Sequence, residues 1–177
     1  IGNLYNNQLD LERAPVFLPS SFVDNHKQFL AKKNDILISL TGTLGKRDYG
    51  FSILYSYEFP SFLNQRVGRL RPNNQKINWN LLTYQLRNES FLNQLFSRPT
   101  GTKQGNFSKD DIIDNKIPFP PLHEQQQIVT HLDQETQKID TLIEKEKQRI
   151  DLLKEYRQSL ISEVVTGKID VRDEVLQ

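Results

Sequence analysis

The sequence of 177 residues contains no cysteine. This absence excludes disulfide bonds and metal sites built on thiolates. The three histidines, His26, His123 and His131, match none of the spacings that bind zinc. We therefore expect no metal site. We also expect a cytoplasmic location, because disulfide bonds, which the chain cannot form, are typical of proteins in oxidising compartments.

Long apolar runs are also missing. No stretch approaches the roughly 18 to 20 apolar residues that a membrane-spanning helix requires. The hydrophobic fraction of 36% is nevertheless enough to fill one core. The sequence thus predicts a soluble protein with one ordinary domain, or one domain and an appendage.

Neither sign of charge is in excess overall, because the net charge is only +1, but the positive and negative residues are unevenly distributed along the chain. Up to Pro121 there are 15 Lys and Arg against 10 Asp and Glu, and beyond it 8 against 12. The first part is therefore basic and the tail acidic. A basic globular part suits a polyanionic partner, although a solvated surface of mixed charge is the more common reason for such a count.

Three apolar segments predict strands in the first part of the chain. They are Ile36–Leu40, Gly50–Phe59 and the alternating "RVGRLRP" that ends at Pro72. Their glycine-bearing connections indicate a mainly antiparallel sheet. With the helices described next, the pattern is typical of an α+β fold.

A helical period follows in "NWNLLTYQLRNESFLNQLFSR", which predicts one helix of about five turns packed on the sheet. Farther on, Ser108 and Asp111 form a capping-box pattern, so a short helix should begin near Asp110, with Phe107 able to pack on Ile112. "KIPFP" predicts an edge strand, because its prolines cannot donate to a central ladder.

A different pattern begins after Pro121. Apolar residues recur at intervals near three and four, and neither Pro nor Gly occurs between Leu122 and Thr166. One helix of about 45 residues, roughly 65 Å long, is predicted, with Gly167 as its C-cap. Since so narrow a stripe needs a helical partner, a coiled coil is expected. The predicted interface comprises Ile128, Leu132, Ile139, Leu142, Ile143, Ile150, Leu153, Leu160 and Val164.

None of the short motifs predicts catalysis. "TGTLGK" has Leu40 and Arg47 where a phosphate-binding loop needs glycine and a hydroxyl. "FPPL" lacks the flanking residues of an amino-methyltransferase motif, and His131 follows His123 too late for a zinc pair. We expect no catalytic residues and no cofactor, and interpret these stretches as structural.

Three segments taken together resemble a known family. They are "DILISLTGTLGK", "TGTKQGNFSKDDIIDNKIPFPPLHEQQQIV" and "SLISEVVTGKID". In order and spacing they are similar to the specificity subunits of type I restriction-modification systems, which recognise DNA without catalysing a reaction.

The resemblance implies both an architecture and partners. Residues 1–121 would form a target recognition domain without its N-terminal segment, residues 122–166 a long spacer and dimerisation helix, and residues 167–177 a tail. Family members carry two such units, whose helices pair antiparallel and separate two half-sites on double-stranded DNA. Their partners are modification subunits that use S-adenosylmethionine and restriction subunits driven by ATP. With one unit, this chain is expected to be a C-terminal half or a half-subunit.

No motif names the residues that would read bases, so candidates come from polar loops. Arg pairs bidentately with guanine, Asn and Gln pair with adenine, and Lys mostly contacts phosphate. The candidates are Lys46, Arg47, Tyr49, Gln65, Arg66, Arg69, Thr102, Lys103, Gln104 and Asn106.

Two functional hypotheses remain open at this point. In the first, the chain is a sequence-specific DNA-binding subunit that dimerises through its helix. In the second, it is an interaction protein, an assembly factor or decoy, that uses the helix to bind partner subunits and never reads DNA. Salt dependence of DNA binding separates the two, because phosphate contacts weaken steeply as salt rises.

Overall fold

A computed structural model describes residues 3–13, 15–97 and 104–172 of the chain. Its strands are β1 (Leu4–Tyr5), β2 (Gln8–Leu9), β3 (Leu30–Ala31), β4 (Ile36–Ser39), β5 (Thr41–Thr43), β6 (Ser52–Leu54), β7 (Ser61–Phe62), β8 (Val67–Leu70) and β9 (Gln104–Asn106). Its helices are α1 (Ser20–Asn25), α2 (Trp79–Arg87), α3 (Glu89–Phe96), α4 (Lys109–Ile113) and α5 (Leu122–Val165), with a 3-10 turn at Lys27–Phe29. The strand pairs among these residues are antiparallel, and the predicted α+β class is confirmed.

The three predicted strands meet in one sheet of order β6-β4-β8. All four residues of the central strand β4 are buried. Because successive side chains point to opposite faces, Ile36 and Ile38 join a cluster with Leu86 and Phe107 on one side. Leu37 joins a second cluster, with Tyr55, on the other. The core therefore lies on both faces of β4.

Three two-stranded pairs surround this sheet. They join β1 to β2, β3 to β7, and β5 to β9. The last pair matters most here, because β5 follows β4 after a single residue, Leu40, and so extends from the core sheet.

The single five-turn helix predicted from Trp79 onward is wrong, since the structure has two helices, α2 and α3. They are separated at Asn88, whose ψ of 141° is extended. The side chain of Asn88 accepts the backbone N–H of Ser90 and caps α3. Asparagine competes with the helix for backbone hydrogen bonds, which explains why the helix is interrupted at Asn88 although the apolar period continues past it.

The edge strand predicted at "KIPFP" is also wrong, because residues 116–120 have no strand pairing. Two glutamine side chains take the place of a ladder. Gln94 accepts the N–H of Lys116 at 3.0 Å and donates to its carbonyl at 2.9 Å, while Gln85 donates to the carbonyl of Pro118. Proline lacks the N–H that a paired strand would need, and the amides of Gln94 and Gln85 bind the carbonyls of Lys116 and Pro118 instead.

The short helix predicted near Asp110 is confirmed as α4. Ser108 accepts the N–H of Asp111, and the carboxylate of Asp111 accepts the N–H of Ser108 at 2.8 Å, which completes the capping box. Phe107 and Ile112 are both buried in the same cluster.

The long helix is confirmed as α5, 44 residues from Leu122 to Val165. Its end follows the Schellman pattern: Gly167 has φ +72° and donates to Val164, and Lys168 donates to Glu163. By its contacts the chain divides into two units, Ile1–Val129 and Thr130–Gln177, so the first two turns of α5 belong to the first unit. Within the described residues, no helix combines the length and apolar character needed to cross a membrane.

Candidate nucleic-acid interface

Two glycines face each other where β5 pairs with β9. Gly42 lies opposite Gly105, and the ring of Tyr49 lies against both. A Cβ atom on either glycine would come closer than 3.0 Å to atoms of Tyr49, so only glycine permits this approach. Tyr49 is therefore a support for the β5–β9 pair, and its burial raises the pKa of its hydroxyl. With 3% of its surface exposed, Tyr49 is not placed to contact a base, contrary to its prediction as a DNA-binding residue.

The loop that follows β5 is tied by one carboxylate. Asp48 accepts the backbone N–H of Thr43 at 2.8 Å and its hydroxyl at 2.7 Å. These hydrogen bonds hold the pKa of Asp48 below its ordinary value. The loop turns at Gly45, whose φ is +77°, and presents Lys46 to solvent. The structure thus keeps Lys46 exposed on a loop of defined shape.

Arg47, the next candidate, is turned toward α3. It donates to Glu89 at 2.7 Å and to the side chain of Asn93, and its guanidinium lies 5.2 Å from the ring centre of Phe96. Such contacts to a carboxylate and an aromatic face hold the side chain in place. Arg47 remains exposed, but in this structure it fastens the loop to α3.

Gln65 and Arg66 lie in the exposed turn before β8. The backbone of Leu40 connects this turn to β9, because its N–H donates to Arg66 at 2.8 Å and its carbonyl accepts from Phe107 at 2.8 Å. Asn106, exposed at the end of β9, precedes Phe107 directly. Both the Gln65–Arg66 turn and Asn106 are therefore placed next to Leu40, through its hydrogen bonds to Arg66 and Phe107.

Arg69 belongs to a different environment. Only 20% of its side chain is exposed, and it donates to the carbonyl of Leu30 and lies 3.9 Å from the carboxylate of buried Asp35. Arg71, which the sequence interpretation did not single out, binds Asp35 through two hydrogen bonds of 2.5 and 2.9 Å. Arg69 and Arg71 therefore both face the buried carboxylate of Asp35, and this placement does not favour a base contact by Arg69.

The remaining candidates fall at the start of β9. Thr102 and Lys103 lie outside the described residues, and Gln104 is placed only by its backbone pairing with Thr43. The structure thus brings four exposed candidates to the ends of β5, β8 and β9: Lys46, Gln65, Arg66 and Asn106.

The apolar residues predicted as a helix interface are open to solvent along α5. Ile139, Leu142, Ile143, Ile150 and Leu153 are between 47% and 61% exposed, and Ile128 and Leu160 are each 39% exposed, while Leu132 and Val164 are half-buried. Leu152, Tyr156 and Ile161, which were not predicted, are also exposed. Many large apolar side chains in contact with water on one helix indicate a binding surface.

The start of α5 is attached to the first unit by a buried amide that sequence reasoning missed. Gln125 is completely buried and accepts the N–H of Asn78 at 2.7 Å. Its amide group donates to the carbonyls of Pro120 at 2.8 Å and Lys76 at 3.2 Å. Its position in the first turn of the helix is the only sequence signal for this role, since Gln126 and Gln127 are the same residue type.

Comparison with known proteins gives a consistent result. A family model described as "Type I restriction modification DNA specificity domain" matches residues 3–152. The chain is 31% identical over 116 residues to the type I restriction enzyme MjaVIII specificity subunit of Methanocaldococcus jannaschii, which covers 66% of this chain and 27% of that relative. It is 26% identical over 139 residues to the EcoBI specificity subunit of Escherichia coli, covering 78% of this chain and 27% of that relative.

A solved structure is also similar. It comes from work on complex assembly and conformational transition of the type I R-M system, and it superimposes with a TM-score of 0.61 at 25% identity. The alignment covers 76% of this chain and 31% of that chain. This chain therefore spans about a quarter of the length of the curated relatives it matches.

Proposed function

The chain belongs to the family of type I restriction modification DNA specificity domains, and from this premise we propose that it reads one half of a bipartite DNA target within a type I restriction-modification complex. In this proposal it has no catalytic residue and no cofactor of its own. Its role is to bring modification and restriction subunits to a chosen sequence.

The observation that carries the DNA-reading part is the group of exposed polar side chains at the ends of β5, β8 and β9. Lys46 and Arg66 supply positive charge for phosphates, and Gln65 and Asn106 supply the paired donor and acceptor that match an adenine edge. Thr102, Lys103 and Gln104 stay candidates on the strength of the sequence.

The exposed apolar stripe of α5 supports the second part of the proposal, which concerns assembly. A helix of this kind gains most by burying its stripe against another helix in a coiled coil. Two recognition units held in this way would bind their half-sites jointly, with an affinity raised by effective concentration when the spacing of the half-sites is right.

Selection of bound duplexes from a random-sequence pool at moderate salt tests this function. We expect enrichment of a short motif, repeated in inverted orientation at one fixed spacing. Enrichment of a single motif without a repeat would support reading by one unit and contradict the paired arrangement. If no motif is enriched, the DNA-reading proposal is wrong.

The alternative, an assembly factor or decoy that acts through its helix alone, is favoured by the same exposed stripe. It differs in its response to salt. A DNA reader loses affinity steeply as salt rises, with a slope set by its phosphate contacts, whereas a decoy would bind the partner subunits with little salt dependence and DNA not at all.

A further inference from the structure

A buried carboxylate gathers basic residues at the end of the sheet away from the candidate DNA surface. Asp35, 4% exposed, directly precedes β4, whose other end leads through Leu40 to that surface. Its Oδ2 accepts the backbone N–H of Lys32 at 2.8 Å and an Nη2–H of Arg71 at 2.9 Å. The Nε of Arg69 lies 3.9 Å from the same oxygen. Three basic residues are therefore immediate neighbours around one atom.

Positive charge exceeds negative charge in this cluster. Four cationic side chains belong to it: Lys32, Lys33, Arg69 and Arg71. Among the described residues, the carboxylates paired with them are those of Asp35 and of Glu58, which is bound by Lys33. The cluster therefore has an excess of two positive charges, held next to a buried anion.

Arg71 has donors left over for a ligand. Asp35 binds its Nε at 2.5 Å and its Nη2 at 2.9 Å, and the carbonyl of Leu30 lies 3.4 Å from the same Nη2. Nη1 makes no hydrogen bond within the part of the chain that the structure describes, and the side chain is 49% exposed. Because a guanidinium is planar, two bonds to one carboxylate orient the whole group. Its remaining N–H groups are thus held ready in one direction.

A purely structural role does not account for the whole cluster. One buried carboxylate is satisfied by one arginine that binds it through two hydrogen bonds, as Arg71 does. A second arginine and an exposed lysine beside that pair add repulsion between like charges. A polyanion that binds there would offset this repulsion.

We propose that Lys32 and Arg71 bind phosphates of the DNA backbone, at a site separate from the loops that would read bases. The planar donors of arginine match phosphate oxygens, and the lysine ammonium supplies a point charge. Backbone contacts position a protein on the duplex and contain no sequence information, so this site would fix orientation while the loops select the sequence. The inference rests on the proposed DNA-binding function and adds a backbone contact to it.

The salt dependence of DNA binding tests the site. We expect Lys32→Ala to reduce the slope of log affinity against log salt by about 1, and to weaken binding about fivefold at physiological salt, equally for every duplex sequence. Fluorescence anisotropy titrations at several salt concentrations measure both. Lys145→Ala is the matched control, because it removes the same charge from an exposed position on α5 and should leave the slope unchanged.

Arg71→Gln should reduce the slope by a similar amount. It also leaves Asp35 without its main partner, so urea denaturation must show that the variant is folded at the temperature of the titration. Lys32 is exposed, and Lys32→Ala should not lower the stability of the free chain. If Arg71→Gln does not fold, Lys32→Ala decides the question alone.

Uncharged methylphosphonates, placed one at a time in the duplex, locate the contact. We expect one position to weaken binding by the native chain about fivefold and to have no further effect on Lys32→Ala, because the two changes remove the same interaction. Effects that add at every position overturn the proposal.

The outcomes separate this site from the reading of sequence. If a motif is enriched from a random pool but Lys32→Ala keeps the native slope, the backbone site is wrong and the reading function stands. If the slope falls on an arbitrary duplex and no motif is enriched, the backbone site is correct and the reading function is wrong. If Lys32→Ala leaves DNA binding unchanged and instead weakens the binding of an acidic partner subunit, the cluster binds protein and the proposal is overturned.

Discussion

At the scale of single residues, Tyr49 supports the candidate interface from a buried position. Its ring lies under Gly42 and Gly105 and so determines how closely the β5–β9 pair approaches the core. Asp48, next in the chain, ties the loop that presents Lys46. Two adjacent residues thus position an interface that other residues would form.

Replacing Gly105 with alanine tests this support. The added Cβ would overlap Tyr49, so we expect a loss of unfolding free energy of about 1 to 3 kcal/mol, measured by urea denaturation. The overlapping atoms are at the far end of the ring. Combining Gly105→Ala with Tyr49→Leu should therefore cost less than the sum of the two single changes. Strict additivity would contradict the proposed contact.

The anchoring of the loop should depend on acid. Because hydrogen bonds from Thr43 lower the pKa of Asp48 in the folded chain, the anchor is complete above the ordinary pKa of a free aspartate and is lost as pH falls through the lowered value. We expect the backbone amide signal of Thr43 in NMR spectra to shift in that acidic range. In Asp48→Asn the same signal should show no such titration; a retained titration would assign it to another group.

At the scale of elements, the start of α5 shows how a long exposed helix is held. The helix begins directly after Pro121, whose carbonyl accepts the N–H of Gln125 at 3.0 Å in the first helical turn. The side chain of Gln125 meanwhile satisfies Asn78, Lys76 and Pro120 in the interior of the first unit. A buried amide with three partners fixes both position and rotation of this turn, because each partner demands its own geometry.

Gln125→Ala should consequently destabilise the first unit. It leaves the N–H of Asn78 without its acceptor, and we expect a loss of about 2 to 3 kcal/mol in urea denaturation. Gln127→Ala is the matched control, since Gln127 is exposed two residues away and should change stability by less than about 0.5 kcal/mol. Equal effects at the two positions would show that the buried amide is not the anchor.

At the scale of the whole molecule, charge and function separate along the chain. The basic part contains the candidate DNA surface, and the acidic part contains the exposed helix. Substitutions in the basic part should therefore change DNA binding alone, whereas those in the helix should change dimerisation first.

Lys46→Ala should reduce the slope of log affinity against log salt by about 1 and leave dimerisation unchanged, because it removes one phosphate contact.

Ile150→Asp should dissociate the dimer in sedimentation experiments and weaken DNA binding as a consequence, since it places a charge in the exposed apolar stripe of α5. Leu142→Asp, in the same stripe, should act in the same direction. Lys154→Ala is the control for charge, as Lys154 is already paired with Asp151 on the helix. An unchanged dimer in Ile150→Asp would contradict the assembly proposal.

The sequence by itself determined the elements whose causes are local. β4 follows from an unbroken apolar run, α4 from the Ser108–Asp111 capping box, and the length of α5 from the absence of Pro and Gly up to Gly167. The ends of such helices and strands depend on backbone and side-chain groups within a few residues, which sequence patterns show directly.

Only the tertiary structure decided where distant residues meet. The irregular segment at residues 116–120 depends on hydrogen-bond partners elsewhere in the chain, Gln94 and Gln85, that no local pattern indicates. The same is true of the candidate surface: Tyr49 and Arg69 have the chemistry of DNA-binding residues, yet packing places them against glycines and a buried carboxylate. Residue type states what a side chain can bind, and the fold, by burying it or exposing it, decides which partner it obtains.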